Sequence, residues 1–324
     1  MFRGQVSVAL ASYNGDRYVA EQLESILAQT RPPDEVVVSD GGSDDDTVRI
    51  AREVLAHAGT GIRVKIIADG ARLGVTANFE RAIAATTGEF VALSDQDDRW
   101  HADRIARGLD HLMRQEALLA AGNADLVAAD GARLGVDLYS ALGLGPKELA
   151  ELSGRDAFAV LIRRNLVTGA TVMVRRELLE AALPFPPDWV HDEWLAIVAA
   201  ALGRVAIDPE PLIDYRQHGA NAIGVSAPTL RYRIRRMVEP RGDRYTALAR
   251  RSRSLAEKVS VLPALAGYRT LAARKADFES LRAGYAGRRL LRLRPILASL
   301  RDGSYRELSS QGVLDVVRDF LQPE

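Results

Sequence analysis

The segment Glu89-Phe-Val-Ala-Leu-Ser-Asp-Gln-Asp-Asp98 decides the fold class, because a short apolar run leads directly into a cluster of carboxylates. Other short apolar or β-branched runs, each bounded by polar turn residues, are typical of buried parallel strands. The five predicted strands are Val6–Ala11, Glu35–Ser39, Arg63–Ala68, Glu89–Leu93 and Asp125–Ala129. Segments with apolar residues at helical spacing alternate with them, at Tyr18–Gln29, Thr47–Ala58, Thr76–Thr86 and His101–Glu116. This alternation predicts an open α/β sheet, whose ligands bind beyond the carboxyl ends of the strands.

Polar clusters follow three of the predicted strands at that edge. They are Ser12-Tyr-Asn-Gly15, Asp40-Gly-Gly-Ser-Asp44 and Ser94-Asp-Gln-Asp-Asp98. Each cluster alone has a structural explanation, because Ser, Asp, Asn and Gly are common in helix caps and turns. The third cluster is harder to explain in this way, because its carboxylates repel one another unless a cation or hydrogen-bond donors neutralise them. The simplest neutraliser is Mg²⁺ or Mn²⁺ shared with the phosphates of a ligand, which predicts a nucleotide diphosphate.

Composition narrows the chemistry and the compartment. The chain has 324 residues, of which 47% are hydrophobic and 27% charged, and this excludes a disordered protein. It contains no cysteine, so thiolate catalysis, zinc–thiolate sites and disulfides are excluded. The N-terminal apolar stretch is too short for a secretory signal, and the best candidate for a membrane span, Leu195–Leu202, is far too short to cross a bilayer. We expect a cytoplasmic protein, at most peripheral on the inner face of the cell membrane.

Charge is distributed unevenly along the chain. Residues 225–294 hold 18 Lys and Arg against 5 Asp and Glu, whereas the whole chain has 43 of each class. This asymmetry predicts two domains, 1–224 and 225–324, the second made of basic helices. Those helices are predicted at Leu230–Val238, Tyr245–Val261 and Leu265–Tyr285.

The basic helices admit three interpretations. Their arginines would attract anionic lipid, at about 1 kcal/mol per basic residue near the membrane surface. Alternatively, the basic faces are solvated and pack on the acidic first domain. Nucleic acid is not an expected partner, because stacking aromatic residues are sparse and no recognised motif is present. The arginines concerned include Arg231, Arg235, Arg250, Arg251, Arg253, Arg288, Arg289, Arg292 and Arg294.

Several segments, in the right order, resemble the successive motifs of glycosyltransferase family 2, whose nucleotide-diphosphosugar-binding fold is called GT-A. They are Val6–Asn14, Gln29-Thr30, Val38-Ser-Asp40 with Gly42-Ser43, Gly74–Phe79 and Gly88–Asp98. The resemblance covers residues 5 to about 220. It implies a Rossmann-like α/β open sheet with a C-terminal helical extension. It also implies transfer of a sugar from a nucleotide-diphosphate donor to a hydroxyl acceptor, with inversion at the anomeric carbon.

The resemblance implies roles for residues on the donor side. Tyr13 would stack on the nucleoside and Asp40 would hydrogen-bond to it. Asp95 would face the ribose, and Asp97 would bind the Mn²⁺ or Mg²⁺ ion that bridges the diphosphate. The full implied set for nucleotide-sugar binding is Ser12, Tyr13, Asn14, Asp40, Arg72, Asn78, Asp95 and Asp97.

One position departs from the family pattern. The family usually has two consecutive acids after the second strand, but the second place here is Gly41. Recognition of the base edge is therefore open, because a small residue admits a different base orientation or lets Asp44 substitute. The sequence does not select the base.

The acceptor side is expected further along the chain. Asn165–Val174 resembles the family's strand next to the acceptor, and Gly169 in it would let a sugar approach the backbone closely. Trp189, Glu193 and Trp194 are expected to line the acceptor pocket. Tryptophan often forms a sugar platform, although it is equally common in protein cores.

The catalytic base is expected at the start of the following helix. An inverting transfer needs one carboxylate within about 3 Å of the attacking hydroxyl to accept its proton. In the family this acid begins a helix here, so we expect Asp192 to be the base, with Glu193 as the alternative. The two acids also have a structural explanation, because they would stabilise the first turn of a helix through Ala201. Both explanations can hold, since a helix N-terminus keeps a carboxylate ionised.

Two short motifs resemble the branch that includes rhamnosyltransferases acting on bacterial polysaccharides. They are His191-Asp-Glu-Trp194 and Tyr215–Asn221. Rhamnose is therefore the expected sugar. His218 is expected as a second metal ligand, because a neutral imidazole suits manganese.

The features together predict a metal-dependent inverting glycosyltransferase that acts on a saccharide or lipid-linked acceptor in cell-surface polysaccharide synthesis. Two other classes stay open. A sugar nucleotidyltransferase should carry a glycine-rich loop with Arg and Lys after the first strand, and Ser12–Arg17 is not such a loop. A non-catalytic nucleotide-sugar-binding module would keep Asp95 and Asp97 and need no base.

Overall fold

The computed structural model describes residues 4–154, 156–219, 239–285 and 287–323. The chain divides into two compact units, Met1–Ala157 with Leu166–Ala227, and Phe158–Asn165 with Pro228–Glu324. The predicted boundary at residue 225 and the predicted helix Leu230–Val238 lie outside the described residues. The sequence did not indicate that Phe158–Asn165 belongs to the second unit.

A mixed β-sheet forms the centre of the first unit. Its nine strands in the described residues are β1 Val6–Ser12, β2 Glu35–Asp40, β3 Arg63–Ile67, β4 Phe90–Ser94, β5 Arg99–Trp100, β6 Leu119–Ala128, β7 Arg133–Asp137, β8 Met173–Arg175 and β9 Val205–Gln217. Their order across the sheet is β3-β2-β1-β4-β8-β6-β9-β5, and β7 pairs with the second half of β6.

The parallel part of the sheet aligns the ends that carry the polar clusters. β1 pairs in parallel with both β2 and β4, in a register that sets Ser12 opposite Asp40 and Leu10 opposite Ser94. The segments that follow these three strands therefore start from one edge of the sheet. The open α/β sheet expected from the alternation of strands and helices is confirmed.

Two of the predicted strands differ from the expectation of buried parallel strands. β3 is an edge strand and exposes Arg63, Val64 and Lys65, because it has a hydrogen-bonded neighbour, β2, on one side only. The fifth predicted strand is part of the longer β6, which is separated from β4 by the antiparallel β8. The sheet is consequently mixed rather than parallel throughout.

Helices cover the sheet and bury their apolar residues against it. In the first unit they are α1 Val19–Leu27, α2 Thr47–Leu55, α3 Val75–Ala84, α4 Arg104–Arg114, α5 Leu138–Leu142, α6 Pro146–Leu152, α8 Arg176–Ala182 and α9 His191–Leu202, whereas α7 Ala157–Leu161 belongs to the second unit except for its first residue. The four helices predicted between the strands are confirmed. α1 shows why the spacing was informative, since Val19, Leu23 and Ile26 recur every three or four residues and all three are buried.

The second unit is helical. Its described helices are α10 Arg244–Val261, α11 Arg269–Ala283, α12 Arg289–Arg301, α13 Ser304–Leu308 and α14 Val313–Leu321. The predicted helix from Leu265 to Tyr285 is interrupted, because Pro263–Tyr268 forms a 3₁₀-helix before α11 begins. No helix of the described residues is long and apolar enough to cross a membrane.

Buried ion pairs, as well as apolar contacts, hold the second unit together. Arg282 is buried and pairs with Glu279 at 3.0 Å and with Asp319 at 2.7 Å. Arg292, expected on a solvated polar face, is completely buried, so that expectation is wrong. Its guanidinium donates to the backbone carbonyls of Asp319 and Gln322 at the C-terminal end of α14. Carbonyls at a helix C-terminus have no N–H donor within the helix, so the arginine supplies one.

Candidate active site

The loop after β2 is held by the carboxylate of Asp40. This buried side chain accepts hydrogen bonds from the hydroxyl of Ser12 at 3.0 Å and from the backbone N–H groups of Gly42 at 3.1 Å and Ser43 at 2.8 Å. The hydroxyl of Ser43 donates to it as well. Ser12 and Asp40, both predicted to bind the nucleotide, thus meet as expected from the strand register, and they shape the loop with bonds to each other.

Asn78 joins the ends of β1 and β2 from α3. Its Oδ1 accepts from the hydroxyl of Ser39 at 2.7 Å, and its Nδ2 donates to the backbone carbonyl of Ser12 at 3.0 Å. The side chain is 3% exposed and both ends are bonded within the protein. In this structure Asn78 therefore positions the donor-side loops.

The packing around Gly41 explains why no second acid stands there. A Cβ atom at this position would lie 3.2 Å from Nδ2 of Asn78, 3.3 Å from the carbonyl oxygen of Leu73 and 3.4 Å from that of Ser12. The two carbonyls belong to the backbone, so the neighbours have little freedom to retreat. A side chain at position 41 would therefore be tightly packed and would need its neighbours to move by a few tenths of an ångström.

Tyr13, Arg72 and Asp44 form an exposed cluster above these loops. The guanidinium of Arg72 donates to the hydroxyl of Tyr13 and pairs with the carboxylate of Asp44, both at 2.5 Å. The ring of Tyr13 faces solvent. Asn14 fixes the loop beneath, because its Oδ1 accepts from the backbone N–H of Asp44 at 2.9 Å. Asn14 has a φ of +47°, in the left-handed region that Asn tolerates better than most residues.

Gln96 connects the loops after β1 and β4, and the sequence analysis missed it. Its Oε1 accepts from the backbone N–H of Tyr13 at 2.8 Å and its Nε2 donates to the carbonyl of the same residue at 2.9 Å. Gly15 leaves space for this amide, because a Cβ there would overlap Oε1 of Gln96. The sequence shows an amide between two acids of the third polar cluster, but not that the backbone of Tyr13 is its partner.

The Asp95–Asp98 cluster meets the last strand of the sheet, β9. Oδ2 of Asp97 lies 2.8 Å from Nε2 of His218, so the two expected metal ligands are adjacent. The ring of His218 stacks on Tyr18 with a centroid distance of 4.9 Å. Arg216 donates its backbone N–H to Oδ1 of Asp98 at 3.0 Å and its Nε–H to the backbone carbonyl of Asp97 at 2.8 Å. β9 thereby fixes the conformation of the acidic loop.

The carboxylates of this cluster are incompletely neutralised. Burial, followed by the charges of Asp97 and Asp192, raises the pKa of Asp95 to about 8. Burial and the charges of Asp97 and Asp95 also raise the pKa of Asp98, whose Oδ2 has no hydrogen-bond partner among the described residues. Arg104 is the nearby cation, and burial lowers its own pKa to about 9. Asp95 and Asp98 therefore favour the protonated form, and a further positive charge would be needed to hold both as carboxylates.

Asp192 stands at the first turn of α9 and belongs to the same site. Its Oδ2 accepts from the backbone N–H of Gly169 at 2.9 Å, and its Oδ1 from that of Glu193 at 2.7 Å. Its charge acts on Asp95 and also helps burial to raise the pKa of Tyr215. The fold therefore brings Asp192 to the acidic loop, although almost a hundred residues separate the two in sequence.

Gly169 is required by the protein's own packing. A Cβ at this position would lie 2.8 Å from Nε2 of His191 and 3.3 Å from Cβ of Asp192. The glycine therefore allows its backbone N–H to reach the carboxylate of Asp192. A sugar was expected to approach the backbone of Gly169 closely, and the groups that lie there in this structure are the side chains of His191 and Asp192 at the start of α9.

The tryptophans differ from the expected sugar platform. Trp194 is completely buried, and its indole N–H donates to the carbonyl of Ala182 at 2.8 Å. This structure places Trp194 in the core, because a ring without exposed surface has no face for a sugar. Trp189 packs against it with a centroid distance of 5.3 Å and is only 9% exposed, while Glu193 next to Asp192 is half-buried. Of the four residues predicted for the acceptor, Glu193 has the most accessible side chain.

His191 is a second residue that the sequence analysis did not assign to the site. It lies parallel to the ring of Phe79 at a centroid distance of 3.9 Å, and burial lowers its pKa. Neither ring nitrogen has a hydrogen-bond partner among the described residues. The neighbour of Asp192 is thus a neutral, buried imidazole.

A further group of metal-type ligands lies elsewhere in the sheet. In the described part of the chain, His101, Asp125 and Asp214 bring a nitrogen and two carboxylate oxygens within 4.8 Å of one another. Arg99 pairs with Asp214 at 2.9 Å and Arg133 with Asp125 at 3.3 Å. Both acids of this group therefore already pair with an arginine.

Comparison with known proteins identifies the family. Residues 7–180 match the family described as Glycosyl transferase family 2. An uncharacterised glycosyltransferase of Nostoc sp. is 30% identical over 224 residues, covering 67% of this chain and 66% of the relative. The dTDP-rhamnosyl transferase RfbG of Shigella flexneri is 26% identical over 231 residues, covering 67% of this chain and 74% of the relative. The chain spans about two thirds of the length of the first curated relatives that it matches, 64% to 66%.

Solved structures share the fold. TarS of S. aureus, residues 1–349 in complex with UDP-GlcNAc, superposes with a TM-score of 0.59 at 16% identity, covering 98% of this chain and 90% of that one. The mannosyltransferase PcManGT of Pyrobaculum calidifontis, in complex with GDP-Man and Mn²⁺, superposes with a TM-score of 0.50 at 20% identity, covering 98% and 86%. The family match over more than half of the residues establishes that this chain belongs to glycosyltransferase family 2.

Proposed function

We propose that this protein is a metal-dependent inverting glycosyltransferase. It would transfer a sugar from a nucleotide-diphosphate donor to a hydroxyl of a saccharide or lipid-linked acceptor in cell-surface polysaccharide synthesis. The observation that carries the proposal is geometric: Oδ2 of Asp97 lies 2.8 Å from Nε2 of His218, and Asp192 is held by the backbone N–H of Gly169 close enough for its charge to act on Asp95. A base on the acceptor side and acids on the donor side therefore share one site, as direct displacement requires.

The donor side would be built on the loops after β1 and β2. The exposed ring of Tyr13, with Arg72 beside it, offers a stacking face and a cation for a nucleotide. Asp40, Ser12 and Asn78 are bonded to one another and to the loop backbone, so their part would be to hold this face in place.

Asp97 and His218 would hold the metal ion. Their ligand atoms are 2.8 Å apart, close to the separation of about 3 Å expected between neighbouring ligands of an octahedral ion. A carboxylate and an imidazole suit Mn²⁺, and the orphan oxygen of Asp98 indicates that this cluster lacks a partner within the described residues. When bound, the ion would offset the charge that develops on the departing diphosphate.

Asp192 would accept the proton of the attacking hydroxyl. Two backbone N–H groups already fix its carboxylate, and the N-terminus of α9 favours the ionised form. Burial lowers the pKa of the neighbouring His191 and so makes it a weaker proton acceptor, which favours Asp192 as the base. Glu193, one residue further along the helix, remains the alternative.

Rhamnose is the proposed sugar. The motif His191-Asp-Glu-Trp194 supports it, as does the similarity to the Shigella flexneri enzyme, whose name specifies dTDP-rhamnose transfer. Discrimination between sugars that differ by one hydroxyl or methyl group is made by a few side chains of the donor pocket, so a panel of donors is the direct test of this assignment.

A panel of nucleotide sugars tests the proposed function. The full chain is incubated with each donor and Mn²⁺, with and without chelator, and release of nucleoside diphosphate is measured. Chelator-sensitive donor hydrolysis or transfer supports the proposal. Pyrophosphate exchange would identify a nucleotidyltransferase instead, and donor binding without turnover a non-catalytic module.

A further inference from the structure

Helix α12 carries a stripe of exposed leucines. Leu290, Leu293, Leu297 and Leu300 are 75%, 39%, 45% and 44% exposed. Their spacing of three and four residues places them on one side of the helix, while Arg292, Ile296 and Ser299 on another side are buried. The usual arrangement is thus reversed, because an arginine is buried in the unit and leucines are exposed to solvent. A contiguous exposed apolar surface of this kind indicates an interaction site.

Exposed arginines border the leucine stripe on both sides. At about 100° per residue, Arg289 lies on one side of it, and Arg294 and Arg301 lie on the other. The sequence of α12 contains no acidic residue. The partner of this surface should therefore combine an apolar interior with negative charge at its boundary.

The C-terminal end of the stripe opens into a cavity of about 780 Å³. Leu300 and Val313 line it together with three arginines, Arg163, Arg301 and Arg306. Its two acids are already engaged, since Glu307 pairs with Arg274 at 2.8 Å and Asp302 accepts from the backbone N–H of Ser304 at 2.9 Å. The cavity thus offers cationic donors directly beside apolar side chains.

We propose that α12 docks the protein on an anionic lipid bilayer. The leucine stripe would insert among the acyl chains, and Arg289, Arg294 and Arg301 would bind the headgroup phosphates, with the adjoining cavity able to receive one of them. This assigns the membrane contact to one helix, and makes it depend on apolar insertion as well as on net charge.

A second copy of this chain could also cover the leucine stripe, but the arginines that flank the stripe oppose such a dimer. The leucines occupy the a and d positions of two heptads, the seam of a coiled coil. In that arrangement Arg294 and Arg301 take the flanking e positions and Arg289 a g position. A second copy would set arginine against arginine along the seam, whereas anionic headgroups complement all three.

Vesicle flotation with the full chain tests the proposal. Vesicles of phosphatidylcholine and phosphatidylglycerol at 7:3 are compared with pure phosphatidylcholine, without any sugar donor. We expect binding to the anionic vesicles only. Leu293→Gln with Leu297→Gln should weaken it at least about tenfold, and Leu134→Gln, at an exposed leucine of β7, is the matched control. Each of Arg294→Gln and Arg301→Gln should cost about fivefold.

Two results would overturn the inference. One is equal binding of the wild type and the double leucine variant to anionic vesicles. The other is a wild-type dimer in sedimentation velocity that Leu293→Gln with Leu297→Gln converts to monomer, without vesicle binding by either protein. Because no donor is present, neither result bears on the proposed transfer reaction.

Discussion

Replacement of Asp192 by asparagine tests the proposed base with the smallest change in shape. The substituted side chain would keep one carbonyl acceptor, but its amide group would face one of the two backbone N–H donors, from Gly169 or Glu193, that now meet a carboxylate oxygen. Loss of one buried hydrogen bond should lower the free energy of unfolding by about 1–3 kcal/mol. Thermal denaturation measures this structural cost separately from catalysis.

The catalytic effect should be larger than the structural one. Loss of general base catalysis should reduce the transfer rate by roughly 10²-fold to 10⁴-fold, which corresponds to about 2.7–5.5 kcal/mol in activation free energy. Donor affinity should not fall, because the substitution removes a negative charge beside the site of an anionic donor, and the metal should still bind because its proposed ligands Asp97 and His218 are unchanged. The expected signature is a low rate at saturating donor with an unchanged or slightly tighter donor dissociation constant.

Glu193→Gln is the matched control, since it removes a charge from the same turn of α9. Single-turnover transfer and calorimetric donor titration are measured for both variants. If Asp192→Asn keeps full transfer activity and Glu193→Gln loses it, Glu193 is the base and Asp192 is not. Full activity of both would refute the reasoning and leave the acids with a helix-stabilising role only.

Three further predictions concern the metal, the donor loop and pH. Asp97→Ala should abolish Mn²⁺-dependent binding of nucleoside diphosphate in calorimetry, while Asp95→Ala should weaken it without removing the metal; unchanged affinity in Asp97→Ala contradicts the ligand assignment. Gly41→Asp should lower the free energy of unfolding by about 1–3 kcal/mol in urea denaturation, because three atoms lie within 3.2–3.4 Å of its Cβ, and an unchanged midpoint would mean that the loop yields. The hydrogen bond and charge of Asp214 raise the pKa of His101, so the stability that this pair contributes is present below about pH 6.5 and is lost as the pH rises through the folded-state pKa. His101→Gln should therefore destabilise the chain more at pH 6 than at pH 9, and an equal loss at both would count against the ion pair.

The helices and strand ends were predicted correctly from the sequence, because their signals come from residues that are close together in the chain. Apolar spacing located α1 to α4, and the polar residues at the strand ends identified the three loops that meet at the site. The Asp95–Asp98 cluster was identified from local repulsion alone, since carboxylates so close in sequence need a neutralising partner wherever the chain takes them.

The sequence was misleading where burial depends on distant partners. Arg292 is indistinguishable in sequence from a solvated arginine, yet its guanidinium is buried at the carbonyls that end α14. Trp194 stands beside acids but lies in the core, with its N–H on Ala182. Gln96 drew no attention, because its role requires the loop of Tyr13 to be within reach.

The sequence by itself thus determined the α/β alternation and the family, because periodicity and motif order are properties of consecutive residues. Only the tertiary structure shows that the charge of Asp192 reaches Asp95, that Nε2 of His218 lies 2.8 Å from Oδ2 of Asp97, and that a Cβ at Gly41 would be tightly packed. Each of these depends on separations of a few ångströms between segments tens of residues or more apart in the chain. Such distances are set by the packing of the whole sheet and its helices, and no local pattern encodes them.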